Sequence, residues 1–185
     1  MASLYKIDKV TSNRAAFETK VRTIASSLGI EPDWLMAVMD FESGLSTTAK
    51  NKYTNATGLI QFMPSTAKSL GTTVEALAAM TNLQQLDYVF KYLSPYKGRM
   101  KSLTDVYLTV FYPAAVGKPD SFVFSDKVKE QNPVFNKYLV DNKLTKGSIV
   151  NYISDRFKDL VKKATIGLGV IILLATVGLM IANRM

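Results

Sequence analysis

One stretch, residues 35–71, constrains the fold of this chain most, because it predicts a helix that carries a carboxyl group on its apolar face. Four residues share that face at positions i, i+3, i+4 and i+7, namely Leu35, Val38, Met39 and Glu42. A carboxyl group on such a face loses hydration, which disfavours its charged form and raises its pKa towards neutral pH. The pattern therefore makes Glu42 a candidate general acid, although taken alone it favours a structural role at the helix end.

Two further points bear on this residue. Asp40 lies about 200° around the helix from Glu42, so we expect it to be solvated and not to act as a catalytic partner. The alternative for Glu42 is structural, with amides of the following loop satisfying its carboxylate at the helix end. The residues that follow favour the catalytic interpretation.

The composition narrows the chemistry. The chain has 185 residues, and none of them is His or Cys. This excludes Ser-His-Asp triads, thiol nucleophiles and the usual zinc sites, so catalysis would use carboxylates, hydroxyls and amides. A formal net charge of +8 favours anionic partners. No nucleic-acid-binding motif and no calcium-loop spacing accompany this charge, so we expect no nucleic acid, no metal and no cofactor.

After Glu42 come a polar loop rich in Gly and Asn and a second helix that begins at Pro64. This order resembles the SLT-type lytic transglycosylases of the lysozyme-like superfamily, whose pattern is a Glu-Ser pair followed by a Gly-Leu-Met-Gln-Ile-Met-Pro-type block. The matching positions are Glu42-Ser43, Ala49, Gly58-Leu59-Ile60-Gln61-Phe62-Met63-Pro64, Thr66-Ala67 and Leu70-Gly71. The resemblance implies a mainly α, lysozyme-like domain with a small irregular or β-containing cleft loop.

The resemblance also implies an activity on peptidoglycan glycan strands. Glu42 would protonate the β-1,4 glycosidic oxygen between N-acetylmuramic acid and N-acetylglucosamine, and would then accept the proton of the muramoyl C6 hydroxyl. The product would be a 1,6-anhydro sugar, and the cell wall would be opened locally. Gln61 would hydrogen-bond to substrate or to Glu42, and Met63 would pack against a sugar.

Three more residues complete the candidate site. Asn51 stands nine residues after Glu42, where the family commonly has a serine, and its amide is expected to replace that hydroxyl. Ser43 is expected to fix the helix end more than to contact substrate. Tyr112 matches the tyrosine of the family's Ala-Tyr-Asn-Ala-Gly-Pro-Gly segment, although Pro113 stands here in place of the asparagine.

A second catalytic acid is not evident. Glu75, Asp87 and Asp105 occupy ordinary helical positions and are expected to be solvated. Two alternatives to the transglycosylase stay open: a hydrolytic muramidase on the same fold, and a catalytically inactive wall-binding or structural membrane protein. The sequence also predicts a helix at 83–93, on which Tyr92 lies beside the apolar stripe. Three roles are open for its side chain: core packing, lining of the groove and stacking on a sugar.

The sequence as a whole predicts three parts: the transglycosylase domain at 1–117, a basic tail or juxtamembrane segment at 118–163, and a transmembrane helix at 164–182. The last stretch holds no charged residue over 19 positions, about 28 Å as a helix, which suits a bilayer core. A lipid membrane is therefore an expected partner. Because no signal peptide is evident and the basic residues precede the span, we expect a phage virion protein in a membrane-containing particle, with other virion proteins as partners. A bacterial cell-envelope enzyme is the alternative.

Overall fold

The computed structural model describes residues 2–161. It is mainly helical and divides into two compact units, Met1–Phe122 and Val123–Met185. The α-helices of the described part are α1 Arg14–Leu28, α2 Pro32–Ser43, α3 Pro64–Ser69, α4 Val74–Ala79, α5 Asn82–Leu93, α6 Leu103–Phe111, α7 Asp126–Gln131 and α8 Lys146–Arg156.

Helix α2 is the centre of the first unit. It begins at Pro32, which suits the first helical turn, and Gly44, in the left-handed conformation with φ of 64°, directly follows its last residue. Five consecutive residues in its middle are at most 1% exposed: Leu35, Met36, Ala37, Val38 and Met39. Helices α1 and α6 both pack against α2, and residues 35–39 are apolar and buried on every face of the helix. That last turn carries Glu42.

The segment before α1 is clamped to the first and last turns of α2. The backbone N–H of Tyr5 donates to Asp33 Oδ1 at 2.8 Å, and the ammonium groups of Lys6 and Lys9 both pair with Asp40. The expectation that Asp40 is solvated was wrong, since its side chain is only 7% exposed. Burial alone would raise the pKa of Asp40, but the hydrogen bonds from the two lysines outweigh burial and lower that pKa.

The loop after α2 is irregular, with two isolated antiparallel bridges, Lys50↔Thr57 and Thr57↔Phe62. Helix α3 begins at Pro64, as the sequence predicts. This short loop and the adjoining α3 bring the 58–64 block back towards the end of α2, because the Ser43 hydroxyl lies 3.0 Å from the carbonyl oxygen of Leu59.

The prediction of a C-terminal transmembrane helix is corrected. Within residues 2–161 no helix is both long and apolar enough to cross a membrane. The longest, α1, has 15 residues and therefore measures about 22 Å, short of the roughly 30 Å of a hydrocarbon core. The stretch 164–182, on which the prediction was made, lies outside the described residues. Residues 2–161 support a mainly helical fold class.

The second unit has a core of its own in its described part. Phe135, on a 3-10 helix, packs edge-to-face against Tyr152 of α8, with ring centroids 5.0 Å apart. Thr145 caps the N-terminus of α8, where its hydroxyl accepts a hydrogen bond from the Ser148 backbone N–H at 3.1 Å. The domain boundaries predicted at 117 and 163 stay predictions.

The clamp on Asp40 gives a stability prediction. D40N should lower the free energy of unfolding by about 1 kcal/mol at neutral pH, because it removes two partly exposed ion pairs. Since the pKa of Asp40 is lowered in the folded state, this contribution is present above its unfolded pKa, near 3.8, and is lost as the pH falls through the folded value. Urea unfolding of the wild type and D40N at several pH values measures this contribution to the free energy of unfolding.

D87N is the matched control for D40N. Asp87 also pairs with a lysine, Lys20, but its side chain is 66% exposed, so the substitution should change the free energy of unfolding by a few tenths of a kcal/mol at most. Equal effects of D40N and D87N would contradict the clamp.

Candidate active site

Glu42 lies in the last turn of α2 and is half-buried. Burial raises the pKa of its carboxyl from 4.5 to about 7. Among residues 2–161 the carboxyl has no hydrogen-bond or ion-pair partner, so loop amides do not satisfy it. A carboxyl with this pKa is protonated in about half of the molecules at neutral pH and can give that proton to a bound molecule.

Ser43 joins the end of α2 to the 58–64 block. Its Oγ lies 2.9 Å from the Met39 carbonyl oxygen and 3.0 Å from the Leu59 carbonyl oxygen. A hydroxyl has a single proton to donate, so these two acceptors share it. This geometry engages Ser43 in holding the loop against the helix that carries Glu42.

The side chain of Gln61 cross-links the loop by hydrogen bonds to its backbone. It has a positive φ of 52°, and its side-chain Nε2 donates to the carbonyl oxygens of Ala49 at 3.1 Å and Gly58 at 3.2 Å. Both amide protons are therefore used within the protein. The side-chain oxygen is the part of Gln61 that is left to accept a hydrogen bond from substrate.

A buried glutamine that the sequence analysis missed supports this loop from below. Gln85 on α5 is 0% exposed. Its Oε1 accepts from the Leu59 backbone N–H at 3.0 Å, while its Nε2 donates to the carbonyl oxygens of Thr47 at 2.7 Å and Leu77 at 2.6 Å. One amide thus ties the loop, the 58–64 block and α4 together. Its helical spacing with buried Leu86 and Val89 is the signal that could have revealed it.

Gly58 is the point where the block passes this amide. It adopts a φ of +82°, and a Cβ added there would lie 2.5 Å from Gln85 Oε1. Only glycine fits, because both the backbone conformation and the close approach exclude a side chain. The structure therefore requires a glycine at the first position of the Gly58–Pro64 block.

Asn51 lies at the exposed tip of the loop. Its Oδ1 accepts from the backbone N–H groups of Tyr53 at 2.9 Å and Thr54 at 3.1 Å, which is an Asx turn. The carboxamide oxygen therefore shapes the loop, and the side-chain NH₂ group is what remains for substrate. Tyr53 beside it is 82% exposed.

The other two candidates differ in their exposure. Met63, just before α3, is 43% exposed and can reach a bound molecule. Tyr112 directly follows the last residue of α6 and is half-buried. Within the described chain it is not hydrogen-bonded to Glu42, so the interaction expected between them stays a prediction.

A second aromatic residue lies nearer to Glu42 than the sequence alone indicated. Tyr92 on α5 packs edge-to-face against Phe62, with ring centroids 6.3 Å apart, and its hydroxyl donates to the Thr109 carbonyl oxygen at 2.8 Å. Burial, the neighbouring Tyr96 and the Glu42 carboxylate raise the pKa of Tyr92 to about 12. Tyr92 therefore lines the site as a neutral phenol.

The other carboxylates are poor candidates for a second acid. Glu75 and Asp87 are exposed, as expected. The expectation for Asp105 was wrong, since it is only 7% exposed; its Oδ2 accepts from the Lys101 backbone N–H and the Ser102 hydroxyl, both at 3.0 Å. Within residues 2–161 no group of three or more acidic side chains is placed to hold a metal ion.

Residues 20–101 match the family model described as Transglycosylase SLT domain. The match covers a little under half of the chain and contains every candidate site residue except Tyr112. This part of the chain is an SLT transglycosylase domain of the lysozyme-like superfamily, which confirms the resemblance, and it supports a lytic transglycosylase-type function on peptidoglycan. A search of curated proteins found no match for the chain.

Gly58 and Gly71 form a matched pair for testing the Gln85 connection. Both have a φ near +80°, but a Cβ at Gly71 meets nothing within 4 Å. G71A should cost about 1 kcal/mol of unfolding free energy, from backbone conformation alone. G58A should cost about 1–3 kcal/mol more, because Gln85 must leave its buried hydrogen bonds.

Denaturant unfolding of both variants measures this difference. In the double variant G58A/Q85A the two costs should be less than additive, because the steric conflict is gone once the amide is removed. Equal losses in G58A and G71A would show that Gln85 does not restrict Gly58.

Proposed function

We propose that the protein is a peptidoglycan lytic transglycosylase in which Glu42 acts alone as acid and then as base. The observation that carries the proposal is the half-buried, unpaired carboxyl of Glu42, whose pKa is raised to about 7, at the centre of an SLT domain. A carboxyl with that pKa is poised to give up a proton and to take one back near neutral pH. The absence of a second suitably placed carboxylate among Glu75, Asp87 and Asp105 favours a single-residue mechanism over the two-carboxylate one.

The proposed reaction proceeds in two steps. Glu42 first donates its proton to the glycosidic oxygen, the bond from that oxygen to the muramoyl C1 breaks, and the N-acetylglucosamine end leaves as an alcohol. The muramoyl acetamido group stabilises the positive charge that develops at C1. The Glu42 carboxylate then takes the proton of the C6 hydroxyl while the oxygen of that hydroxyl bonds to C1. A 1,6-anhydro ring forms, and water is not consumed.

The remaining candidates bind substrate in this proposal. The free side-chain oxygen of Gln61 and the side-chain NH₂ of Asn51 are each left to hydrogen-bond to sugar hydroxyls or acetamido groups. Met63 packs on a sugar face, which its exposure supports. Tyr112 would complete its interaction with Glu42 or substrate on binding.

The biological setting is a further proposal. We propose that the activity opens the wall locally during phage infection, with the protein carried in the virion next to other virion proteins. Detection of the protein in purified particles by mass spectrometry supports this setting. Its presence only in the envelope of uninfected bacteria would replace it with a cellular one.

Replacing Glu42 tests the reaction. E42Q should lower the rate of release of soluble fragments from peptidoglycan by about 100-fold or more, because the amide cannot donate or accept the proton. Binding of the protein to sacculi should persist. E75Q, which changes an exposed glutamate, is the control and should retain full activity.

The products decide between the two enzyme reactions. Mass spectrometry of wild-type digests should find 1,6-anhydromuramoyl ends, whereas reducing muramoyl ends would indicate a hydrolytic muramidase. If the wild-type protein releases no fragments from peptidoglycan of any chemical type, the enzyme proposal is wrong and the wall-binding alternative replaces it.

The raised pKa of Glu42 also predicts a pH dependence of stability. The folded protein holds this proton more tightly than the unfolded chain, so the contribution is fully present below the unfolded pKa of 4.5 and is lost as the pH rises through about 7. The free energy of unfolding should fall by up to about 3 kcal/mol across that window. E42Q should remove this fall, while E75Q should not, and equal slopes in the two variants would argue against a raised pKa.

A further inference from the structure

The end of helix α6 leaves one carbonyl group without its usual backbone donor. Tyr112, which directly follows α6, adopts a ψ of 79°, outside the helical region. Pro113 accounts for this conformation, because a proline disfavours the helical region for the residue that precedes it. Proline also has no N–H group, so Pro113 cannot donate to the Thr109 carbonyl oxygen, as the corresponding residue of a continuing helix would.

The side chain of Tyr92 supplies this hydrogen bond from α5. Its hydroxyl donates to the Thr109 carbonyl oxygen at 2.8 Å. Because the pKa of Tyr92 is raised to about 12, the hydroxyl keeps the donated proton at neutral pH. Thr109 is 0% exposed, and its own hydroxyl donates to the Asp105 carbonyl oxygen at 2.8 Å. Tyr92 therefore caps the C-terminal end of α6 at a turn that is fixed by its own packing.

The same side chain also contacts the loop that faces Glu42. The ring of Tyr92 packs edge-to-face against Phe62 of the 58–64 block, with ring centroids 6.3 Å apart. A hydrogen bond in turn ties that block to the last turn of α2, which carries Glu42. Tyr92 thus links the loop beside the acid to the helix end that precedes Tyr112.

We propose that Tyr92 is a positioning residue, whose hydroxyl caps α6 and thereby holds Tyr112 in the orientation in which Tyr112 meets substrate or Glu42. Tyr92 needs no contact with the substrate for this role. The side-chain hydrogen bond replaces the backbone one that Pro113 removes. This inference rests on the proposed function, since it assumes that Tyr112 acts in the reaction.

Y92F tests this role, because it removes the donor and keeps the ring against Phe62. Initial rates of fragment release from sacculi, at saturating and at low substrate, give kcat and KM. Y92F should lower kcat about tenfold and change KM by less than about twofold, since a displaced group costs rate more than ground-state binding. An unchanged kcat in Y92F would overturn the inference.

Y112F and the double variant show whether Tyr92 acts through Tyr112. Y112F should lower kcat, and Y92F/Y112F should be no slower than Y112F, because no Tyr112 hydroxyl is left to position. If the effects of Y92F and Y112F multiply, Tyr92 acts independently of Tyr112 and the inference is wrong. A wild-type rate in Y112F would overturn it as well.

Y88F is the matched control for Y92F. Tyr88 lies one turn earlier on α5 and is also half-buried. Within residues 2–161 its hydroxyl makes no hydrogen bond. Y88F should therefore keep the kcat of the wild type, and a loss equal to that of Y92F would show that the capping hydrogen bond is not the cause.

Hydrogen exchange tests the cap without any cleavage. The Tyr112 backbone N–H donates to the Leu108 carbonyl oxygen at 2.8 Å, and the Ala115 N–H donates to the Tyr112 carbonyl oxygen at 2.9 Å. Both amides should exchange about tenfold faster in Y92F, while the amides of α2 keep their rates and Y88F changes neither.

The exchange result separates failure of this inference from failure of the proposed function. If the wild type cleaves no peptidoglycan, the proposed function fails, while faster exchange confined to this segment in Y92F still shows that Tyr92 positions Tyr112. If exchange is unchanged, or rises equally in α2, the inference is wrong whatever the activity.

Discussion

The burial of one carboxyl group without a counter-charge is the constraint on which the site depends. Glu42 stands at the end of a helix whose preceding residues are almost fully buried, so the packing of α2 removes water from its carboxyl. A nearby lysine or a backbone amide would lower the pKa again and remove the acid. The two lysines near α2 are held by Asp40 on the opposite side of the helix, where they do not stabilise the charged form of Glu42.

The loop that faces Glu42 is built from amide hydrogen bonds in place of a sheet. Gln61 holds it from within, Gln85 supports it from α5, and Ser43 ties it to α2. Because each of these side chains is engaged with backbone groups, the 58–64 block has a defined position next to the acid before any substrate binds. Such pre-organisation reduces the cost of ordering the site during the reaction.

The sequence was sufficient for the local features and insufficient for those that depend on packing between helices. The spacing of apolar residues in α2 indicated a buried Glu42, and Pro64 indicated the start of α3, because both are properties of one helix. The burial of Asp40 could not be predicted from α2 alone, because the lysines that cover it come from a segment distant in the sequence.

Residues that pack between elements were missed for a related reason. The burial of Gln85 is not evident from a pattern of apolar residues, because a polar side chain is buried on α5 only where backbone groups from other elements satisfy it. The nearness of Tyr92 to Glu42 depends on how α2 and α5 each pack against α1, which no local pattern specifies. The predicted span at 164–182 rests on the length and apolar composition of that stretch and on its basic flanks, and the described structure gives it no support.

An NMR titration of the Glu42 side-chain carboxyl, assigned by its loss in E42Q, measures the raised pKa of Glu42 most directly. We expect a midpoint near pH 7, and a midpoint near the unperturbed value of 4.5 would contradict the proposed acid.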